Sequence, residues 1–442
     1  MKITGAKRWI VLVIISLLSG TMVYTPYLRF NYYDQMVMVF TQYKSIVSPD
    51  VVNTFIGDLA LAEGVIVLFF YIIGGQLADK FSEKYTFAAG GILMGLATFW
   101  YAAIPDATSL IIIHILLGVG VGLLWGAYIK LTRKLGTAAQ QSRVYSTSEF
   151  IRGILGTALG FFGVAVLGQA ILPTGATDPT LVGQQFSLLL IVNASIFIVL
   201  SVLLLILIPK NVIGLEVDEG KEIKEEKFTI KTAAKVLKMP GVWMVAMIIF
   251  FCYSVTAAAS GYLGAFTTSV LGITTTQASS FAIIRNYIIA ALSTLAIGFV
   301  AAKIGSEVKT LGWYLGISAV LMVIMIITQG ASALCIVITF VFAVSYTGMR
   351  GIYFAQLHEV RIPIELTGVA TGIISVICYL PDVYFARLAG SWLDAYGSAG
   401  YSLIWGWAIG CAVLGIVTVF ITRRYIKKLN AHDVEKTSEL VD

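Results

Sequence analysis

Apolar residues in this chain fall in long blocks rather than in strict alternation. A helix that crosses the hydrocarbon core of a bilayer needs roughly 20 apolar residues, and that ruler fits twelve times. The predicted spans run near 9–30, 54–77, 85–104, 109–131, 145–168 and 186–208, then near 241–270, 277–302, 309–329, 331–353, 364–392 and 400–422. A β-barrel would show segments of about ten residues with alternating polarity. Lipid admits only helices or closed barrels, because every backbone group must pair internally. The expected fold is therefore an all-α membrane protein with twelve transmembrane helices in two sets of six. The first block, from Trp9, lacks a small-residue cleavage site and reads as a retained span, not a signal peptide.

The polar positions divide the chain. An N-terminal six-helix bundle is predicted over 1–209, a cytoplasmic linker over 210–240, a C-terminal six-helix bundle over 241–422 and a cytoplasmic tail over 423–442. The linker carries seven lysines and six acidic residues between Lys210 and Pro240. Its last part, Ile230 to Lys238, has apolar and basic residues at helical spacing and suits the membrane surface. Orientation follows from Lys and Arg in the short connections. With both termini inside, the cytoplasmic side holds Lys7, Arg8, Lys80, Lys84, Arg133, Lys134, Arg143, Lys303, Arg361 and Arg423 among others, while the opposite side shows little beyond Lys44. A multi-pass protein of the cell's inner or plasma membrane is expected, as a monomer.

Composition narrows the classes. The 442 residues are 58% hydrophobic and 12% charged, with a mean hydropathy of +0.89, whereas a soluble domain has about 25% charged residues. A soluble fold is excluded. The net charge of +6 is no nucleic-acid signal, because the basic residues collect in loops. Cys252, Cys335, Cys378 and Cys411 lie inside apolar blocks without a CxxC pair, so neither a disulfide, a metal site nor a cofactor is expected. No Gly-x-x-x-x-Gly-Lys-Ser/Thr run encodes a nucleotide engine.

Internal repetition is the next signal. Gly74-Gly75-Gln76-Leu77-Ala78-Asp79-Lys80 follows the second span, and Gly298-Phe299-Val300-Ala301-Ala302-Lys303 follows the eighth. The same Gly-x-x-Ala-x-Lys skeleton thus recurs half a chain apart, so the two bundles are expected to be pseudo-symmetric. With its loop after span two, the chain resembles the major facilitator superfamily, whose signature there is Gly-x-x-x-Asp-Arg-x-Gly-Arg-Arg/Lys. Gly75, Asp79, Lys80 and Lys84 match; Ser82 and Glu83 depart from it, and the second copy has Ala302 in place of the acid. The resemblance implies a conformational latch: Asp79 at the membrane edge meets the positive end of a helix when the cytoplasmic side closes. The residues alone show a charged turn. Fragments around Tyr27-Leu28-Arg29-Phe30-Asn31, Ile284-Arg285, Arg350-Gly351 and Tyr379-Leu380-Pro381-Asp382 are similar to the organophosphate:phosphate antiporter-like branch.

Ionisable residues inside spans are costly unless they face a cavity or a partner. Arg29, Lys130, Arg152, Arg285, Arg350 and Arg387 stand against Asp58, Glu63, Glu149 and Asp382. Glu149 and Arg152, three apart on one helix, suit mutual neutralisation. Asp382 and Arg387 suit neighbouring partners. Arg29 and Arg285 are the leading substrate-binding candidates, with structural ion pairing as the other reading; Arg285 lies roughly 12 Å below the outer surface by helix rise. A guanidinium offers a rigid fork to phosphate, sulfonate or carboxylate oxygens. Arg350 is a third candidate ligand, and Tyr27 and Tyr379 are candidate cavity walls. Glu63 stands near the repeat-equivalent position of Arg285 and is read as its counter-charge; Glu63, Glu149 and Asp382 are candidates for proton coupling. His114 reads as a satisfied helix residue. Glycines at 153, 156, 160 and 163 keep small residues near one face and permit close helix contact.

The function these features favour is secondary transport of a small organic anion by alternating access, through anion exchange (antiport) or proton coupling (symport). A proton-coupled exporter of drugs or amphipathic solutes fits the basic excess within the spans less well. A transporter-shaped sensor lacks a sizeable cytoplasmic domain, and an enzyme lacks any nucleophile–base or metal-ligand cluster. The expected partners are a small anionic solute and membrane lipid, not nucleic acid.

Overall fold

The computed structural model describes residues 5–80, 82–136, 140–170, 177–209, 212 and 229–439; within these, the side chains of 71–80, 141–142, 364 and 432–439 lie outside the description. Helices α1 (Gly5–Tyr24) and α2 (Arg29–Met38), the latter extended by a π-helical turn Val39–Tyr43, form the first segment. Helices α3 (Val52–Lys80), α4 (Glu83–Ala102), α5 (Ala107–Lys134), α6 (Gln141–Leu167) and α7 (Pro179–Leu207) follow. The short α8 (Ile230–Leu237) precedes α9 (Pro240–Ser269), α10 (Thr275–Ile283), α11 (Ala290–Ile304), α12 (Glu307–Ile327), α13 (Ser332–Gly348), α14 (Thr367–Cys378), α15 (Leu380–Tyr396) and α16 (Gly400–Glu439). Ten stretches of the described residues are long and apolar enough to cross a membrane, and one of them, Thr367–Ala431, contains α14, α15 and most of α16. Each of the twelve predicted spans is helical.

Three spans expected as continuous rods are interrupted, and the interruptions matter for the site. The first stops at Tyr24, because Pro26 brings no amide hydrogen and its ring crowds the carbonyl four residues back. The helix resumes at Arg29 and continues well past the expected boundary near 30, with Tyr32 itself non-helical (φ −134°, ψ 40°). The eighth contains a π-helical turn, Ile284–Ile289, between α10 and α11. The eleventh breaks at Tyr379, and Pro381 sits at the start of α15, where a missing amide hydrogen costs least.

By its internal contacts the chain divides into two compact units. The first comprises Met1–Glu222, Ser260–Ala291 and Asp382–Leu403; the second comprises Ile223–Ala259, Leu292–Pro381 and Ile404–Asp442. In the first, α4 packs on α5 and α7, α3 on α5, α1 on α6, and α10 on α2 and α6. The glycine face of α6 is used as expected. A Cβ at Gly156 would fall 2.4 Å from the Tyr287 ring, and one at Gly163 would fall 2.2 Å from the Tyr32 hydroxyl. That hydroxyl donates to the Gly160 carbonyl at 2.5 Å and lies 2.8 Å from the Tyr24 hydroxyl, which donates to the Leu159 carbonyl at 3.0 Å. Helices α3 and α15 touch backbone to backbone: a Cβ at Gly57 would lie 2.4 Å from Arg387 Cα, and one at Gly390 would lie 2.2 Å from the Asn53 carbonyl oxygen.

Helix ends are capped by side chains where the sequence supplies them. The Asp106 carboxylate accepts from the Thr108 and Ser109 amides at 3.0 and 3.1 Å and from the Ser109 hydroxyl at 2.6 Å, opening α5. The Ser109 hydroxyl and amide hold this exposed carboxyl below the usual carboxylate range. In the second unit, α12 packs on α13 and α8 on α14. A reciprocal Thr229–Thr232 cap starts α8, which buries Val236 and leaves Ile230 exposed.

Candidate functional site

The two arginines favoured by the sequence are both buried, Arg29 at 7% exposure and Arg285 at 1%. Each stands where the backbone departs from regular α-helix. Arg29 is the first residue of α2 after the Pro26 break, and Arg285 lies in the π-helical turn, a distortion that concentrates at functional sites. Arg29 stacks its guanidinium 4.5 Å from the centroid of the Phe30 ring and makes no hydrogen bond or ion pair among the described residues. Gly261 leaves it room, for a Cβ there would lie 3.2 Å from Arg29 Nη1.

Three clefts within the first unit share Arg29 as a wall. One, of about 260 Å³, is bounded by Thr25, Tyr101 and His114. Thr25 Oγ1, Tyr101 OH and His114 Nε2 are buried and have no hydrogen-bond partner among the described residues. Buried polar groups are nearly always paired, so three orphans and an unpaired guanidinium around one cleft mark a place built to receive polar atoms. The second cleft, of about 220 Å³, is bounded by Asn31, Asp34, Gln35 and Ser279. Here the groups bond one another: Gln35 Nε2 donates to Ser279 Oγ at 3.2 Å, the Thr268 hydroxyl to Asp34 Oδ2 at 2.8 Å, and Asn31 Nδ2 to the Tyr287 hydroxyl at 3.3 Å. The third, of about 240 Å³, is bounded by Tyr27, Glu63 and Asp382. Arg29, Tyr27, Glu63 and Asp382 are thus brought together as candidates on one cleft.

Glu63 is 4% exposed, and its Oε2 lies 3.2 Å from Nδ1 of the equally buried His114. The Tyr101 ring meets the imidazole edge-on, with centroids 5.6 Å apart. The repeat position suggested Arg285 as the counter-charge of Glu63; the structure supplies His114, which sequence reasoning treated as an ordinary helix residue. Glu149 and Arg152 form the intrahelical ion pair expected of them, with the Glu149 side chain 62% exposed. The Arg152 guanidinium also lies over the Trp125 and Tyr128 rings. Arg387 pairs with Asp58 at 3.1 Å. Arg350 and Tyr379 belong to the second unit, where Arg350 is exposed in a 3-10 turn and Tyr379 packs edge-on against Tyr253. Gly75, Asp79 and Lys80 fall in the last turns of α3, and their side chains lie outside the described residues. Lys84 Nζ stands 5.7 Å over the Tyr85 ring.

One residue escaped sequence reasoning altogether. Asp394 of α15 receives the start of α3: Asn53 donates its amide at 3.1 Å and its side-chain nitrogen at 2.8 Å to Oδ1. Thr54 donates its amide at 2.7 Å and its hydroxyl at 2.6 Å to Oδ2. A carboxylate at a helix N-terminus satisfies amides that have no intrahelical partner and meets the positive end of the dipole. The available signal was an acidic residue late in span eleven with no basic neighbour on its own helix.

These features sit on a fold with known relatives. A family model described as Major Facilitator Superfamily matches residues 11–386. The chain belongs to the major facilitator superfamily, and is a multi-pass membrane transporter rather than an enzyme. It is similar to the inner membrane protein YqcE of Escherichia coli (strain K12), with 26% identity over 429 residues covering 95% of each chain. Its fold is similar to the crystal structure of a bacterial homolog of the human lysosomal transporter Spinster, with a TM-score of 0.76 at 12% identity over 96% of this chain and 98% of that one. It is also similar in fold to a D-xylose–proton symporter, with a TM-score of 0.70 at 15% identity over 93% and 96% of the two chains.

Proposed function

We propose that this transporter moves a small organic anion, phosphorylated, sulfonated or carboxylated, by alternating access, with Arg29 as its principal ligand. The observation that carries the reading is a guanidinium 7% exposed, without an ion pair or hydrogen bond among the described residues, on the wall of a cleft whose other polar atoms are also unsatisfied. A buried charge of this kind costs several kcal/mol in the empty protein, and an anionic ligand repays that cost through charge-assisted, two-pronged hydrogen bonds. Arg285 contributes positive charge from the π-helical turn, and Tyr27 supplies an aromatic wall. Asn31, Gln35 and Ser279 on the neighbouring cleft suit hydroxyl groups on the same solute. The likeness of Arg29, Arg285 and their neighbours to the organophosphate:phosphate antiporter-like branch supports the same class.

Six-helix halves at 1–209 and 241–422, cytoplasmic termini and a monomeric state belong to this proposal, as does the Asp79 latch. The basic residues concentrated in one set of short loops support the orientation.

Counterflow in proteoliposomes tests the reading. Vesicles holding purified protein and unlabelled solute are offered labelled glucose 6-phosphate, gluconate, ethanesulfonate or a lipophilic phosphonium cation. At least one anion is expected to exchange, the cation is not, and Arg29→Ala is expected to abolish exchange while the protein stays monodisperse. Exchange of the cation alone, or normal anion exchange by Arg29→Ala, overturns it.

A further inference from the structure

Resting on the anion reading, we propose that His114 is a proton-gated substrate contact: anion binding beside Arg29 requires uptake of one proton by the Glu63–His114 pair. Glu63 on α3 presents Oε2 to His114 Nδ1 on α5 at 3.2 Å, and both residues are 4% exposed. An ionised carboxylate only accepts, so the imidazole proton sits on Nδ1. Nε2, the ring's other nitrogen, then carries a lone pair, and no described residue donates to it. His114 and Arg29 line the same cleft. In that state the cleft offers an anion one cation and one repelling lone pair.

A proton arriving from water onto Nε2 changes both charge and chemistry. The lone pair becomes an N–H donor, and the pair goes from net negative to neutral, whether the extra charge rests on the imidazolium or the Nδ1 proton passes to Glu63. Other groups face the pair from neighbouring elements: Arg29 on α2, Tyr101 on α4, Asp382 on α15 and Tyr27 in the α1–α2 connection. Of these only Arg29 is cationic. One unit of negative charge on the pair balances it in the empty site, and a bound anion takes over that role. The charge left on Glu63–His114 would then be uncompensated in a poorly hydrated interior, and neutralising it by protonation is the cheaper state. Thr25 Oγ1 and Tyr101 OH, the cleft's two other unpartnered groups, complete the donors around the anion. The solute class that fits has at least two acceptor oxygens, one set for the Arg29 fork and one for His114 Nε2–H.

Linkage makes this measurable. Gluconate and ethanesulfonate keep a single charge between pH 5.5 and 8.5, so their own titration does not interfere. With whichever of the two gives counterflow, the wild-type KM is expected to rise about tenfold per pH unit on the alkaline side, the slope of a one-proton requirement, with little change in maximal rate. His114→Gln keeps a donor that does not titrate; its KM is expected to be flat with pH, and its counterflow at low pH within about threefold of wild type. Calorimetry of the wild-type protein in two buffers of different ionisation enthalpy needs no variant and is expected to show about one proton bound per anion at pH 8. A flat wild-type KM, an unchanged slope in His114→Gln, or no proton uptake overturns this inference while leaving the anion site standing. Absence of anion counterflow at every pH overturns the anion reading itself.

Discussion

The two compact units differ in what they bury. Among the described residues, every side chain of ionisable type that is buried, Arg29, Glu63, His114 and Arg285, lies in the first. The second buries hydroxyls and an amide, and its hydroxyls are largely satisfied at home. Ser254 donates to the Phe250 carbonyl at 2.8 Å, Thr347 to the Ala343 carbonyl at 2.6 Å, and the Ser293 and Thr347 hydroxyls lie 2.7 Å apart. A hydroxyl bonded to the carbonyl one turn back costs little in an apolar surround, because donor and acceptor arrive together. A guanidinium without a counter-charge costs far more, and nothing in packing repays it. The lesson is that buried polarity has two meanings: groups that satisfy one another hold the fold, and groups left unsatisfied wait for a partner from outside.

Substitutions can break that contrast at graded strength. Arg29→Leu is expected to lower anion counterflow by more than about 100-fold and yet to raise the unfolding temperature, since an unpaired buried charge gives way to a packed apolar side chain. Falling stability together with lost transport would make Arg29 a structural residue and erase the distinction between the units. Gly390→Leu is next: its Cβ would fall 2.2 Å from the Asn53 carbonyl oxygen, and about 3 kcal/mol of destabilisation is expected from overpacking, read as a lower denaturation midpoint in detergent. Asp394→Ala removes four hydrogen bonds from the start of α3 and is expected to cost about 2 kcal/mol on the scale of a strong helix cap. Thr347→Val in the second unit is expected to cost about 1 kcal/mol or less and to leave counterflow unchanged. A transport defect there would show that the second unit's hydroxyls also serve the solute.

Much of this was legible beforehand, for identifiable reasons. Span positions follow from hydropathy, because lipid tolerates no other long apolar arrangement, and all twelve are helical in the structure. The burial of Arg29 and Arg285 could be read from their depth along a helix. The Glu149–Arg152 pair needed only the i, i+3 rule, and the α6 contact face needed only glycine spacing. What could not be read depends on which helices become neighbours. Glu63 and His114 lie on different spans, so periodicity gives each a face without saying which face it meets. Asp394 was invisible for the same reason: its partners, Asn53 and Thr54, come from the other end of the chain. Pro26 and Pro381 marked local irregularity, but whether a membrane helix bends, breaks or absorbs a proline is decided by neighbours able to take up the freed backbone groups.

The Asp394 arrangement has a kinetic consequence. Its four bonds converge on one carboxylate from two consecutive residues, so none can lengthen far without loosening the others. Parting α15 from that end of α3 must release them nearly together and hand both amides to water at once. This end of the helix pair therefore behaves as a two-state clasp, either fastened or fully open, with a barrier between the two and little population halfway.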